Sequence, residues 1–328
     1  MQLLDFILVG VGIVGLFLGG NYLVVGASRL AASFGLSTLV IGLTVVAFGT
    51  SAPELLVSLA SAVEGVSDIA IGNVIGSNIA NIGLILALAA IIFPIQVKVQ
   101  IVRREIPAMI GTVALLFLLI LDNEIGRVDG LILLVALAAF NYIVFLDARR
   151  SMREHNEEEA RNGDAPTAEE EATVARTRLF NLGRVILGAV LLLVGAQFTV
   201  TGAVAVARDL GVSELLIGIS LVAVGTSLPE LAAAMAAATR RSSDIVVGNV
   251  VGSNIFNILL ILGLTAVIQP ISVDLNAVQF QFAVMAVFSL LVLPFVLDRV
   301  LGRREGAFLF ALYVVFIIYL FVQSSPTG

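Results

Sequence analysis

"VVAFGTSAPELLVSL", residues 45–59, is apolar at both ends yet sets a proline, Pro53, and a carboxylate, Glu54, at its middle. "LVAVGTSLPELAAAM", residues 221–235, repeats the arrangement with Pro229 and Glu230. What surrounds these segments decides the fold. The chain is 59% hydrophobic and 13% charged, about half the charged share of a soluble domain, roughly 25%. Its apolar residues come in blocks of spanning length, with charges confined to short gaps, which is the pattern of transmembrane helices and not of one large soluble core. Hydropathy predicts ten spans, near 4–28, 36–63, 69–93, 106–122, 128–147, 182–207, 212–239, 245–268, 277–297 and 305–323. "MQLLDFILVG" has no basic region and no small-residue cleavage site, so it reads as the start of a retained first span and not as a signal peptide.

Shifted by 176 residues, the distance from Glu54 to Glu230, the second and third spans fall on the seventh and eighth without a gap. "IGLTVVAFGTSAPEL" (41–55) matches "IGISLVAVGTSLPEL" (217–231), and "SDIAIGNVIGSNIANI" (67–82) matches "SDIVVGNVVGSNIFNI" (243–258). More than half the positions between Leu36 and Val97 are identical to their counterparts. The chain therefore reads as a duplication: a first repeat at 1–148 with its core motif at 36–97, an acidic linker at 149–180, and a second repeat at 181–328 with its core motif at 212–273. Five spans per repeat is an odd number, so the second copy enters the membrane from the opposite side.

The basic residues give the same answer independently. Loops after odd-numbered spans hold Arg29, Lys98, Arg103, Arg104, the linker arginines with Arg184, Arg240, Arg241, Arg299, Arg303 and Arg304; the other face holds Arg127 and Arg208. The positive-inside rule puts the linker in the cytoplasm and both termini outside. Where the aligned spans agree, the loop charges switch: Glu64 and Gly65 align with Arg240 and Arg241, and Lys98 with Asp274. The fold class predicted is thus an all-α polytopic membrane protein of two inverted five-helix repeats, in the cell (inner) membrane. The linker, polar and poor in large apolar residues, reads as solvated and flexible; its acids lack the ligand spacing of a calcium loop.

A carboxylate at the bilayer centre costs about 2.5–3.5 kcal/mol on insertion scales. It needs a partner, and no lysine or arginine lies mid-span in either repeat. A mobile cation is the natural one. Pro53 has no amide hydrogen for the Gly49 carbonyl, so carbonyls near Ala47 to Thr50 leave the helix ladder and become hard oxygen donors. Thr50 and Ser51 add hydroxyls; Thr226 and Ser227 repeat this beside Glu230. Ser77 and Asn81, four apart, share a helix face, as do Ser253 and Asn257. Gly72, Gly76, Gly248 and Gly252 form small-residue ridges for close helix approach. Asn73 and Asn249 fit an interhelical hydrogen bond as well as a ligand role. The set is all oxygen. There is no cysteine and one histidine, His155, in the linker, which excludes disulfides and the usual zinc sites. Calcium takes six to eight such oxygens, and sodium accepts the same hydroxyls and carbonyls; magnesium fits less well.

"GTSAPE" and "GTSLPE", each followed by "GNVIGSN" or "GNVVGSN", resemble the two alpha-repeats of the calcium/cation antiporter superfamily, and among them those of prokaryotic sodium/calcium exchangers. The resemblance implies alternating access around a central site. It implies that Glu54 and Glu230 bind calcium with backbone oxygens of Thr50 and Thr226. It implies that Ala47 and Ala223 carbonyls with Ser51, Ser227, Ser77 and Ser253 form flanking sodium sites, that Asn81 sits at the centre, and that the first and sixth spans slide. Some members carry aspartate where this chain has Asn257, which leaves two formal negative charges here and makes potassium coupling less expected.

The expected activity is exchange of calcium for sodium by a secondary transporter, with no catalytic residue and no cofactor. The transported ions and the lipid bilayer are the expected partners; no nucleic acid or obligate protein partner is implied. Paired carboxylates also bind protons, so a calcium/proton exchanger of the same fold is the nearest alternative, and a cation channel the alternative of another class.

Overall fold

The computed structural model describes residues 3–161, 168–210 and 223–324. Its helices are α1 (Leu3–Ser33), α2 (Thr38–Thr50), α3 (Ala52–Val63), α4 (Ser67–Ile92), α5 (Ile106–Leu119) and α6 (Arg127–Arg161). They continue as α7 (Ala168–Asp209), α8 (Ala223–Thr226), α9 (Leu228–Thr239), α10 (Ser243–Ile268), α11 (Leu275–Phe295) and α12 (Arg303–Ser324). Among the described residues seven helices are long and apolar enough to cross a membrane, and α2 with α3, bent by 45° at their junction, makes an eighth candidate. Of the other two expected spans, α5 is 14 residues long and follows a wider π-type turn at Ile101–Glu105. The span expected at 212–239 is represented by α8 and α9, since 211–222 lie outside the described residues. The chain is an all-α polytopic membrane protein.

The linker corrects one expectation. α6 runs through Arg161 and α7 begins at Ala168, so most of 149–180 is helical and not irregular. Charge keeps this stretch out of a core but does not oppose a helix: Glu, Ala and Arg are good helix formers. Extension from an anchored span also avoids the cost of nucleation. Arg153 Nε meets Glu157 Oε1 at 2.8 Å one turn on.

Burial separates the spans. In α4 and α10 the most apolar windows are 72% and 94% buried, against 22% for α1 and α12, so α4 and α10 occupy the middle of the bundle. Glycine explains how closely they pack. A Cβ on Gly248 would sit 3.0 Å from the Leu43 nitrogen, and one on Gly252 2.8 Å from Ala47 Cβ, so α10 lies directly against α2. A Cβ on Gly72 or Gly76 would meet no described atom within 4 Å. The segment that the repeat assigns to them, 218–222, lies outside the described residues.

α1 and α7 form a second unit. Gly12, Gly19 and Gly26 recur every seven residues, as do Gly188, Gly195 and Gly202. A Cβ on Gly195 would stand 2.8 Å from the Gly12 carbonyl oxygen, and one on Gly19 2.9 Å from that of Gly188. As residue numbers rise on one helix they fall on the other, so the pair is antiparallel and nearly backbone to backbone.

Among the described residues, four two-residue strands tie loops together. β1 (Ile95–Gln96) pairs with β4 (Val300–Leu301), and β2 (Glu124–Ile125) with β3 (Ile271–Ser272), both antiparallel. The 176-residue shift carries Ile95 onto Ile271 and Ile125 onto Leu301. No strand pairs with its own copy; each pairs with the copy of the other. This is the arrangement expected of repeats with opposite orientation, and the strand pairs join loops that the basic residues also assign to one set. Near β1, Asp244 Oδ2 accepts from the Thr38 hydroxyl at 2.9 Å and pairs with Lys98 Nζ at 2.6 Å. Before α5, fully buried Glu105 accepts from Gln100 Nε2 at 3.1 Å and pairs with Arg104, which also reaches Asp147.

Candidate functional site

α2 ends at Thr50, Ser51 leaves the helical conformation with φ −82° and ψ 8°, and α3 restarts with Pro53 in its first turn. The second copy breaks in the same way at Ser227, with φ −88° and ψ 6°, and Pro229 opens α9. Proline suits a helix's first turn because the amide it lacks has no intrahelical partner there. Glu54 and Glu230 fall in those first turns, where the helix dipole favours negative charge, while α2 and α8 end nearby on carbonyls that favour a cation.

The breaks bring the two carboxylates together. The Ser51 hydroxyl donates to Glu230 Oε1 at 3.0 Å, and the Ser227 hydroxyl donates to Glu54 Oε1 at 3.3 Å. Glu54 and Glu230 are 0% and 1% exposed, which removes water as a partner. The other oxygen of each, Oε2, has no hydrogen bond among the described residues.

Thr50 is buried, with its hydroxyl 3.1 Å from the Val46 carbonyl, 3.3 Å from that of Ala47 and 3.2 Å from Asn249 Oδ1. One proton cannot serve three acceptors, so the oxygen keeps lone pairs for a cation. The Ala47 carbonyl is not released as the proline alone suggests. It accepts from the Ser51 amide at 3.0 Å as well as lying near the Thr50 hydroxyl. Pro53 withdraws a donor from Gly49, four residues back, and not from Ala47. Thr226 closes α8 beside Ser227; Ala223 opens α8 at the edge of the described residues.

α4 and α10 supply the rest. Asn73 Nδ2 donates to the Glu54 carbonyl at 3.1 Å and to the Ser58 hydroxyl at 2.9 Å; Asn249 Nδ2 donates to the Glu230 carbonyl at 3.5 Å. These two amides fasten each carboxylate-bearing helix to its neighbour, the interhelical role. Ser77 and Ser253 are buried on the same helices, and Ser253 Oγ has no hydrogen bond. Asn81 and Asn257 each begin a π-type turn, Asn81–Leu86 and Asn257–Leu262, a feature frequent at functional sites.

Two residues that the sequence reading did not single out, Asn78 and Asn254, bridge the two repeats. Asn81 Nδ2 donates to Asn254 Oδ1 at 3.0 Å, and Asn257 Nδ2 donates to Asn78 Oδ1 at 3.0 Å. The available signal was the identical GSN triplet in both repeats, which holds Asn78 and Asn254. The Oδ1 atoms of Asn81 and Asn257 are buried without a hydrogen bond among the described residues. Among the described residues, five buried oxygens of these side chains therefore lack donors: Glu54 Oε2, Glu230 Oε2, Asn81 Oδ1, Asn257 Oδ1 and Ser253 Oγ. A buried acceptor left unmet costs about 1–3 kcal/mol, more when charged.

A family model described as "Sodium/calcium exchanger protein" matches residues 4–146 and 180–322, two stretches offset by the same 176 residues as the repeat. The chain is 36% identical to the putative antiporter CaxA of Alkalimonas amylolytica, over 98% of this chain and 99% of that protein. It is 33% identical to the sodium/calcium exchanger MaX1 of Methanosarcina acetivorans, over 98% and 99% respectively. A solved structure of the sodium-calcium exchanger NCX_Mj, soaked with 2.5 mM Na+ and 1 mM Sr2+, is similar with a TM-score of 0.83 at 34% identity, covering 97% of this chain and 99% of that one.

Proposed function

This chain belongs to the sodium/calcium exchanger family, and from that premise we propose that it exchanges Ca2+ for Na+ by alternating access around a site built on Glu54 and Glu230. Membership makes it a transporter of the calcium/cation antiporter class; the choice of driving ion and the residues of the site are our reading. One observation carries that reading: two fully buried carboxylates from opposite repeats, each with one oxygen held by the other repeat's serine and one oxygen left without a donor.

In this reading two negative charges balance one divalent ion. Thr50 and Thr226 supply further oxygen to calcium. Ser51, Ser77, Ser227 and Ser253, with the carbonyls of Ala47 and Ala223, serve sodium. Asn81 and Asn257 close the centre. Calcium and sodium need the same two carboxylates, so they bind in turn. An emptied site leaves two like charges close together in low dielectric. That state is unfavourable, and if it also resists the switch of access, ions exchange without leaking. Two spans contributing paired hydroxyls at each break favour sodium over the proton as counter-ion.

The test is radiolabelled calcium uptake into proteoliposomes with sodium, potassium and proton gradients imposed one at a time. Uptake driven by an outward sodium gradient, abolished in Glu54→Gln and in Glu230→Gln, is the expected result. Near-normal uptake in either variant rejects the site. Uptake driven by a proton gradient with sodium absent replaces sodium by the proton, and current without counter-transport makes the protein a channel.

A further inference from the structure

We propose that Asn78 and Asn254 are positioning residues that hold the side-chain amides of Asn257 and Asn81 oxygen-inward, and so make cation ligands of both. The proposal rests on the site reading above.

A carboxamide has nearly the same shape either way round, yet one end accepts and the other donates two hydrogens. Beside a cation the choice is decisive: the oxygen ligates, while the amino end repels. Packing alone does not choose between them, so a hydrogen-bond partner must.

That partner is present twice. Asn257 Nδ2 donates to Asn78 Oδ1 at 3.0 Å, and Asn81 Nδ2 donates to Asn254 Oδ1 at 3.0 Å. The two bonds exchange under the 176-residue shift, and each joins one repeat to the other. Asn78 and Asn254 are themselves fixed in direction. Asn78 Nδ2 donates to the Asn254 carbonyl at 3.4 Å and approaches Met285 Sδ at 3.6 Å, and Asn254 Nδ2 approaches Met109 Sδ at 3.5 Å. Turning either of these amides over would set its oxygen against sulfur, and for Asn78 also against a carbonyl oxygen. It would also set its amino group against the amino group of Asn257 or Asn81. Each link therefore chooses the next, from a methionine sulfur to an outer asparagine and then to an inner one. The chain ends on Asn81 Oδ1 and Asn257 Oδ1, both buried and both without a hydrogen bond.

All four asparagines are at most 1% exposed, so water does not compete for these donors. The lock uses the hydrogens of an amide at position 257. A carboxylate at that position would offer no donor to Asn78.

Direct calcium binding to the purified protein, measured by equilibrium dialysis with radiolabelled calcium and followed by thermal melting, tests the proposal. Asn78→Leu removes the acceptor at similar volume and should weaken calcium binding about tenfold. Asn78→Asp keeps the acceptor and should bind calcium at least as tightly as the parent. In a double-mutant cycle, Asn78→Leu should add nothing to the loss caused by Asn257→Ala, because Asn78 acts through Asn257. A residue with a merely structural role would give additive losses. Parent-like affinity in Asn78→Leu, or additivity with Asn257→Ala, overturns the proposal. If Asn78→Leu does not fold, Asn254→Leu with Asn81→Ala runs the same cycle. Glu54→Gln is the control for the site itself: if it loses calcium while Asn78→Leu does not, the positioning role fails alone. If Glu54→Gln binds calcium normally, the site reading fails.

Discussion

The hydroxyl of Ser51 lies 3.0 Å from Oε1 of Glu230, although 179 residues separate them in sequence. Ser227 answers with Glu54 at 3.3 Å. Each broken helix thus gives its carboxylate to one side of the site and its serine to the carboxylate opposite. Neither repeat holds a complete set of partners by itself.

Removing one of these hydroxyls takes a hydrogen bond from a buried carboxylate, worth about 1.5–3 kcal/mol when the acceptor is charged. Ser51→Ala and Ser227→Ala should each weaken calcium binding by about tenfold or more, and the double variant further, as read by radiolabelled binding. Unchanged affinity in both single variants would remove the serines from the site.

The α1–α7 contact is made for close approach, and in our reading for movement. Gly195→Ala would press a methyl against the Gly12 carbonyl oxygen, at 2.8 Å if nothing moved, and such overpacking costs about 1–3 kcal/mol. Exchange rates in proteoliposomes should fall in Gly195→Ala and in Gly19→Ala while equilibrium calcium affinity stays near that of the parent. A loss of affinity with unchanged turnover would contradict a role in movement.

Two ionic contacts should differ in their worth. Lys98 is 51% exposed where it meets Asp244, so Lys98→Ala should change stability by less than about 1 kcal/mol. Glu105 is 0% exposed, whereas Arg104 beside it is 33% exposed and keeps Asp147 as a second partner, so this half-buried pair is worth more than the exposed one but less than a fully buried one. Glu105→Ala should therefore lower the melting temperature in detergent more than Lys98→Ala does. Equal melting temperatures would show that burial does not set the difference.

The proposed orientation is checked by single cysteines, since the chain has none of its own. A membrane-impermeant maleimide should label Asp122→Cys in intact cells, and Arg150→Cys only after permeabilisation. The reverse pattern would invert the topology assigned from the basic residues.

The two carboxylates, the broken helices and the repeat are legible in the sequence because each violates a local rule twice at one spacing. A glutamate in an apolar segment and a proline in a helix stand out wherever they occur. Asn78 and Asn254 did not stand out. Their role lies in which way an amide faces, and that is settled by partners 173 to 179 residues away or by a methionine on another span. The helical linker was missed for a different reason. Low hydrophobicity excludes burial, but a helix continued from an anchored span needs no burial to persist. The engaged Ala47 carbonyl shows the same limit: the proline marks a break, but backbone geometry decides which oxygen goes without a donor.

The strand pairs β1–β4 and β2–β3 lie in two separate sets of loops, and in each a segment from one half of the chain grips a segment from the other. Among the described residues, the loop that follows α1 takes no part in these clasps. The body that carries the carboxylates is therefore buckled shut in both sets of loops by main-chain bonds, while α1 and α7 run past each other on a rail of bare backbone. In the alternating-access reading proposed above, α1 and α7 would travel while the buckles stay fastened.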